Sequence, residues 1–258
     1  MLHDVFANLE LIEEPAYLVT RDILYADNTL LMSQHEDNLQ AILGAVVKEG
    51  TRYGLELNWS KTFQMQVSTQ SRISRPDGGA IASVREAVYL GGLVTCDGKA
   101  GNEISRRLGA CGGLFRQIRQ VWSHAAVTRN RKLEVYSACV LSKLLYSLES
   151  LWLLKAERAR LDAFHCRCLR MILRIPCSYV SRISNAVVLE RAGMHPLSET
   201  LLSRQQAQYL KIKRQEHTSI LRHLIMDEAG GPRVWCGARR RGRPRQRWAR
   251  EVHKLLNS

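Results

Sequence analysis

Asp27 and Asn28 stand at the centre of the stretch DILYADNTLLMS, residues Asp22 to Ser33, between two short apolar runs. A carboxylate and an amide at the tip of a tight turn have two physical readings. Both residues tolerate the positive backbone angles of a short hairpin loop, so they can serve the turn alone. A hairpin tip also holds a carboxylate clear of the sheet on a rigid base, which suits a metal ligand. Three further groups have chemistry to offer. His165, Cys166, Cys168 and Cys177 lie close in sequence. Their spacing does not match paired zinc knuckles, and Cys166 and Cys168 would point to different sides of a helix, so they read as buried thiols. Arg160, Arg167, Arg170 and Arg174 form a stripe, because offsets of 7, 10 and 14 residues nearly close whole turns. Such an edge either tracks a phosphate backbone or is a solvated flank. Last, RRRGRPRQRW brings together Arg239, Arg240, Arg241, Arg243, Arg245 and Arg247. Its Arg-Gly-Arg-Pro core is that of an AT-hook, which lays arginines into a narrow minor groove. Sequence-tolerant nucleic-acid binding and a plain solvated tail stand beside that reading.

The totals favour a polyanionic partner. The 258 residues carry a net charge of +14, and the sequence pI is about 9.8. The charge is unevenly spread. Residues 1–60 hold ten Asp or Glu against three Lys or Arg, a local charge of −7, so the remainder carries +21. Between Arg233 and Lys254 there are nine basic residues and a single acid, Glu251. An acidic front and a basic back suit a protein whose packing or metal-binding half is separate from its nucleic-acid grip. Seven scattered cysteines, no basic-flanked apolar leader and no apolar run of membrane length imply an intracellular protein with free thiols.

The elements that must position these groups follow from periodicity. Ser33 and Glu36 have capping-box spacing, and Leu39, Ile42, Leu43, Val46 and Val47 continue as a helix that Gly50 should stop. KTFQMQV alternates as a half-buried strand with Phe63, Met65 and Val67 on its apolar face. SRPDGGA is a loop, and AVYLGGLVTCDG reads as one more strand closed by a turn at Asp97–Gly98. From Asn102 the period becomes helical through Ile104, Leu108, Cys111, Phe115, Ile118 and Trp122. Glycines 109, 112 and 113 in that run suggest a close neighbour. Further helices are expected over about 130–152, 156–175 and 196–228. The helix over 156–175 has Leu161, Phe164, Cys168, Met171, Ile172 and Ile175 as its buried stripe. Pro244 suits a helix start, after which Trp248, Val252, Leu255 and Leu256 share a face. The expected class is α+β, a small antiparallel sheet with a helix followed by a mostly helical region.

LYADNTLLMS, then GLELNWSKT, then VYLGGLVTCDGKAGNEISRRL resembles the later motifs of reverse transcriptases from non-LTR, LINE-type retrotransposons. KLEVYSACVLSKLLYSLESLW and RLDAFHCRCLRMIL resemble the helical segments beyond the thumb, and the basic tail is similar to that of such reading frames. The resemblance spans about residues 16–256. It implies a partial palm over 1–100, a helical thumb and connector over 101–228, and a basic tail with a short helix over 229–258. It also implies RNA-directed DNA synthesis, RNA and DNA as partners, and two Mg²⁺ ions about 4 Å apart held by hard oxygen ligands. Under that match Asp27 is a metal ligand, with Asn28 in the place of its usual acidic neighbour. Tyr25 would lie near nucleotide or primer, Lys61 would stabilise the pyrophosphate, and Tyr89, Leu90 and Gly91 would contact the primer strand. The family's partner carboxylate comes from an earlier palm strand. Only 24 residues precede Tyr25, so the palm and fingers would have to be completed by a further segment, and the chain by itself is expected not to polymerise. The alternative is a non-enzymatic nucleic-acid-binding remnant acting through the arginine helix and tail. Either way the expected location is nucleus or cytoplasm, without a membrane.

Overall fold

The computed structural model describes residues 9, 11–13, 22–25, 28–67, 71–234 and 246–257. The fold is mixed α+β and divides into two compact units, with the boundary between Gly98 and Lys99. In the first unit, β1 (Asp22–Tyr25) and β2 (Asn28–Leu31) are antiparallel, with Tyr25 opposite Asn28 and therefore a two-residue loop. Helix α1 (Glu36–Arg52) follows. Its buried face carries Ile42, Leu43 and Val46, and Leu9, Leu11 and Leu31 pack against Ile42 and Val46. Asn38, also buried, clamps an extended segment through paired 2.8 Å hydrogen bonds with the Ile12 N–H and carbonyl. The capping box does not form: His35 is the N-cap, and the Ser33 hydroxyl is engaged by the His35 backbone instead. Gly50 does not stop the helix either. The chain turns at Gly54, where φ is +71°, and the Gly50 carbonyl accepts from Tyr53 and Leu55.

Strand β3 (Phe63–Met65) is shorter than its alternation suggests and pairs in parallel with β4 (Ala82–Val84). Its burial does not alternate as expected: Gln64, Met65 and Gln66 are all half-buried. Phe63 and Val67 are exposed, while the Gln64 amide donates to the Ile73 and Ile81 carbonyls and accepts from the Ile73 N–H. Gln66 donates to Ser71. The loop between β3 and β4 needs hydrogen-bond partners, and two glutamines supply them at the expense of the apolar side. The next stretch is a hairpin rather than one strand: β5 (Glu86–Tyr89) and β6 (Gly92–Thr95) pair with Tyr89 opposite Gly92. Leu90 and Gly91 have φ of 48° and 82°, the double positive angle of a primed two-residue turn. The expected turn at Asp97–Gly98 is present, with Gly98 at φ +65° donating to Thr95. These six strands make three separate two-stranded ladders, one of them parallel, and not the single antiparallel sheet expected from sequence.

The second unit is helical. In order it has α2 (Gly101–Gln117), α3 (Arg119–Ser123), α4 (Arg129–Val135), a π-helical segment (Tyr136–Leu141) and α5 (Ser142–Leu145). After a short 3₁₀ turn come α6 (Lys155–Ile172), α7 (Ser178–Ser181), α8 (Asn185–Ala192), α9 (Leu197–Lys213), α10 (Ile220–Ile225) and α11 (Trp248–Leu256). The α2 stripe buries Ile104, Cys111 and Phe115 as its spacing predicts. Around Phe115, Trp122 stacks at 4.9 Å and Tyr136 meets it edge-on at 5.9 Å. Leu161, Phe164, Cys168 and Ile172 of α6 complete this core, together with Leu197 and Leu201. The expected close neighbour is not there: a Cβ at Gly112 would make an ordinary contact with Phe164 at 3.8 Å, and Gly109 and Gly113 face open space. The helix expected over 130–152 ends at Leu145 after its π-helical widening, and the one over 196–228 breaks between Lys213 and Ile220. Helix α11 docks on α9 in a second small core of Tyr209, Ile212, Met226 and Val252, with Trp248 packed against it. The Trp248 indole donates to the Glu149 carbonyl at 2.6 Å. Leu255 and Leu256 remain exposed.

Candidate nucleic-acid interface

Of the residues matched to the hairpin motif, Tyr25 is exposed at the end of β1 and Asn28 at the start of β2, while Asp27 lies outside the described residues. Lys61 is exposed in a turn ordered by the Asn58 side chain, which accepts from the Ser60 N–H and hydroxyl. Tyr89 is half-buried, and Leu90 and Gly91 form the β5–β6 turn. These groups sit on separate ladders, so no one sheet gathers them. The described residues do not fit a two-Mg²⁺ centre. Among them no group of three or more His, Cys, Asp or Glu is placed to hold an ion. Asp22 pairs with Leu31 at the base of the hairpin, three residues of strand from Tyr25 and so about 10 Å away along it.

The His–Cys group also divides. His165, Cys166 and Cys168 are buried in α6, and Cys177 is exposed beyond it. Burial pushes the Cys168 thiol up to about 12 and the Cys166 thiol above its ordinary value, so neither is a thiolate at neutral pH.

The cationic side is more informative. The unit boundary separates charge: residues 1–98 hold seven Lys or Arg and thirteen Asp or Glu, a net −6. Residues 99–258 hold thirty-one and eleven, a net +20. On α6, Arg160 and Arg167 are exposed, and Arg174 is exposed just past the helix end in a left-handed conformation, φ 55°. Arg160 donates to the Ser105 hydroxyl at 2.9 Å, and Arg174 to the Ser123 carbonyl at 3.1 Å. Those contacts lie at the two ends of the α2–α3 segment. Between them, Gly113, Arg116, Gln117 and Arg119 line an open groove of about 480 Å³. Sequence reasoning missed Arg116 and Arg119, because neither belongs to a basic run; Gly113 was a visible signal, its missing side chain leaving the groove floor bare.

Arg170 does not belong to this surface. It is only 7% exposed, and its guanidinium donates to the Pro176 and Ile183 carbonyls, the Ser181 hydroxyl and the Asn185 side chain. The neighbouring Met171, expected in the core, is 57% exposed. The segment after α6 folds back over the Arg170 side and needs donors for its carbonyls, which decides which residue is covered. Of the tail, Arg247 is exposed at the N-cap of α11; Arg239, Arg240, Arg241, Arg243 and Arg245 lie outside the described residues. Among the described residues no helix is long and apolar enough to cross a membrane. Comparison of the chain with protein-family models, curated proteins and solved structures gives no match.

Proposed function

We propose that the second unit of this chain binds RNA and DNA by tracking the phosphate backbone. The observation that carries this reading is the +20 charge of that unit together with the Arg116–Arg119 groove, flanked by Arg160 and Arg174. Four cationic side chains from neighbouring helices are a sequence-tolerant grip. The tail arginines would extend it. Binding should weaken linearly on logarithmic axes with salt, by about 0.9 in slope per phosphate contacted on duplex DNA and about 0.7 on single strands. Changing Arg239, Arg240, Arg241, Arg243 and Arg245 together to alanine should flatten the slope, and Arg116→Ala with Arg119→Ala should flatten it by about 1–2 more. Substitution is the cleaner test than cutting at residue 233, because a cut would strip Trp248 and Val252 from the α9 core. A salt slope near zero for the intact chain would remove the proposal. A marked preference for A·T over G·C duplex, lost on Arg243→Ala, would replace it with a minor-groove hook.

A second reading concerns ancestry. We infer that the first unit is a partial reverse-transcriptase palm, supported by the order of its motifs and by the antiparallel pairing of Asp22–Tyr25 with Asn28–Leu31. Among the described residues no group of three or more His, Cys, Asp or Glu is placed to hold an ion, and the chain alone is expected not to extend a primer on an RNA template with Mg²⁺ or Mn²⁺. Primer extension that disappears on Asp27→Ala would show a complete centre and overturn this expectation.

A further inference from the structure

Residues 176–183 leave α6 and fold back across its last turn, and a buried cation holds them there. The Arg170 guanidinium donates at 3.1 Å to the Pro176 carbonyl, 3.3 Å to the Ser181 hydroxyl, 2.6 Å to the Ile183 carbonyl and 3.1 Å to Asn185 Oδ1. All four partners are neutral oxygens. The Ser181 hydroxyl in turn donates to the Cys177 carbonyl and accepts from the Ile183 N–H. Arg174, just before the segment, and Arg182, within it, both sit at φ 55°, a conformation that residues other than glycine rarely adopt. A buried guanidinium without a carboxylate and two left-handed residues oppose folding, so they persist only where surrounding contacts dictate the conformation.

What this fixed segment presents to solvent is apolar. Tyr179 is 80% exposed and Val180 is 66% exposed. The Arg182 guanidinium lies 5.7 Å from the Tyr179 ring centroid and leaves the ring otherwise open. Arg174, which reaches the Ser123 carbonyl next to the α2–α3 groove, lies five residues before Tyr179. An aromatic ring on a rigid base, with Arg182 beside it and Arg174 five residues before it in the chain, in a unit of charge +20, has a definite complement: a flat, apolar group carried on a polyanion.

We propose that Tyr179 is a stacking platform for a base of single-stranded nucleic acid, with Arg174 and Arg182 meeting the adjoining phosphates. This rests on the nucleic-acid reading above and adds the strand class and the residue. The strand must be single because the bases of a duplex already cover one another's faces, whereas an unpaired base offers its own to a ring. Stacking is tolerant of sequence, in keeping with a surface whose other contacts are to phosphate.

The test is fluorescence anisotropy of the full-length chain with labelled oligo(dT), oligo(U) and a duplex of equal length. Tyr179→Ala should weaken both single strands by about five-fold or more while changing duplex affinity less than about two-fold. Tyr179→Phe and Tyr179→Trp should keep the single-strand affinity, since they keep the ring. Tyr179 is exposed enough that none of these variants threatens the fold. Unchanged single-strand binding in Tyr179→Ala, or an equal loss on duplex, overturns the platform and leaves the phosphate-tracking surface standing. If the unsubstituted chain binds none of the three oligonucleotides, the platform and the nucleic-acid reading fall together.

Discussion

Replacing Glu103 by alanine is expected to destabilise the second unit by about 3–5 kcal/mol, the cost of removing one partner from a buried ion pair. The Glu103 carboxylate is 1% exposed and accepts from Arg106 Nε at 2.7 Å and Nη2 at 3.0 Å, and from Arg107 Nε. Arg107 is itself buried, and its Nη1 donates to the Lys143 carbonyl at 3.2 Å, which ties α2 to α5. Without Glu103 that guanidinium stays in the interior and loses the carboxylate that accepts from its Nε. Burial pushes the Glu103 carboxyl up, but the hydrogen bonds and charges of Arg106 and Arg107 outweigh it and hold the group below its ordinary value. A carboxyl depressed in the folded state contributes stability that is complete above its unfolded pKa, ordinarily 4.5, and is lost as pH falls through the folded value. Urea midpoints at neutral pH should therefore drop sharply for Glu103→Ala, with the m-value unchanged. The double change Glu103→Leu with Arg107→Met should recover much of the loss, because it removes the buried guanidinium as well. If Glu103→Ala shifts stability by less than about 1 kcal/mol, the pair is not the fixed strut of α2, and the Arg116 groove does not depend on it.

The contrast between α2 and α6 separates what a sequence can tell from what it cannot. Ile104, Cys111 and Phe115 were legible as a core face because helical spacing fixes their relative angle, whereas the burial of Glu103 and Arg107 beside them was not. On α6 the angle was equally legible, yet the choice between Arg170 and Met171 was not. Which of them is covered depends on a segment several residues further on that folds back over the helix, and Arg170 goes under because it can satisfy four oxygens there. Gln64 and Gln66 repeat the lesson in a strand: the expected alternation is lost where the loop after β3 bonds to both glutamines. At Leu90–Gly91 the turn was hidden because leucine is a poor residue for a positive φ. In the candidate interface, Arg160, Arg167 and Arg174 were legible as exposed cations, whereas Arg116 and Arg119 needed the α2–α3 bend to bring them to one groove.

Acidification from pH 7 to pH 5 is expected to cost the second unit about 2 kcal/mol, most of it through one histidine. His165 is fully buried in α6, with its ring stacked on Tyr136 and its Nδ1 2.9 Å from the Tyr136 hydroxyl. Burial carries the Tyr136 phenol far above its ordinary value, so it keeps its proton beside the His165 ring. Burial likewise lowers His165 from 6.5 to about 4, against the opposing influence of Asp162 and of the His195 backbone. The unfolded chain then binds a proton near pH 6.5 that the folded chain refuses until about 4. Stability is full above 6.5 and declines as pH falls through that window, at about 1.4 kcal/mol per pH unit, levelling off below the folded value. Glu103 acts at lower pH, since its carboxyl is unfolded-like only near 4.5 and below, so the range from 7 to 5 isolates the histidine. Urea unfolding followed by circular dichroism at intervals of pH should trace this decline in the unsubstituted chain. His165→Gln can still hydrogen-bond with Tyr136, and should start less stable at pH 7 yet run nearly flat to pH 5. Because α6 also carries Arg160 and Arg167, the loss of nucleic-acid affinity in acid should follow the same curve wherever unfolding begins to populate. A flat profile in the unsubstituted chain, or an identical slope in His165→Gln, would mean that the buried imidazole is protonated without penalty and that the α6 core is looser than its packing indicates.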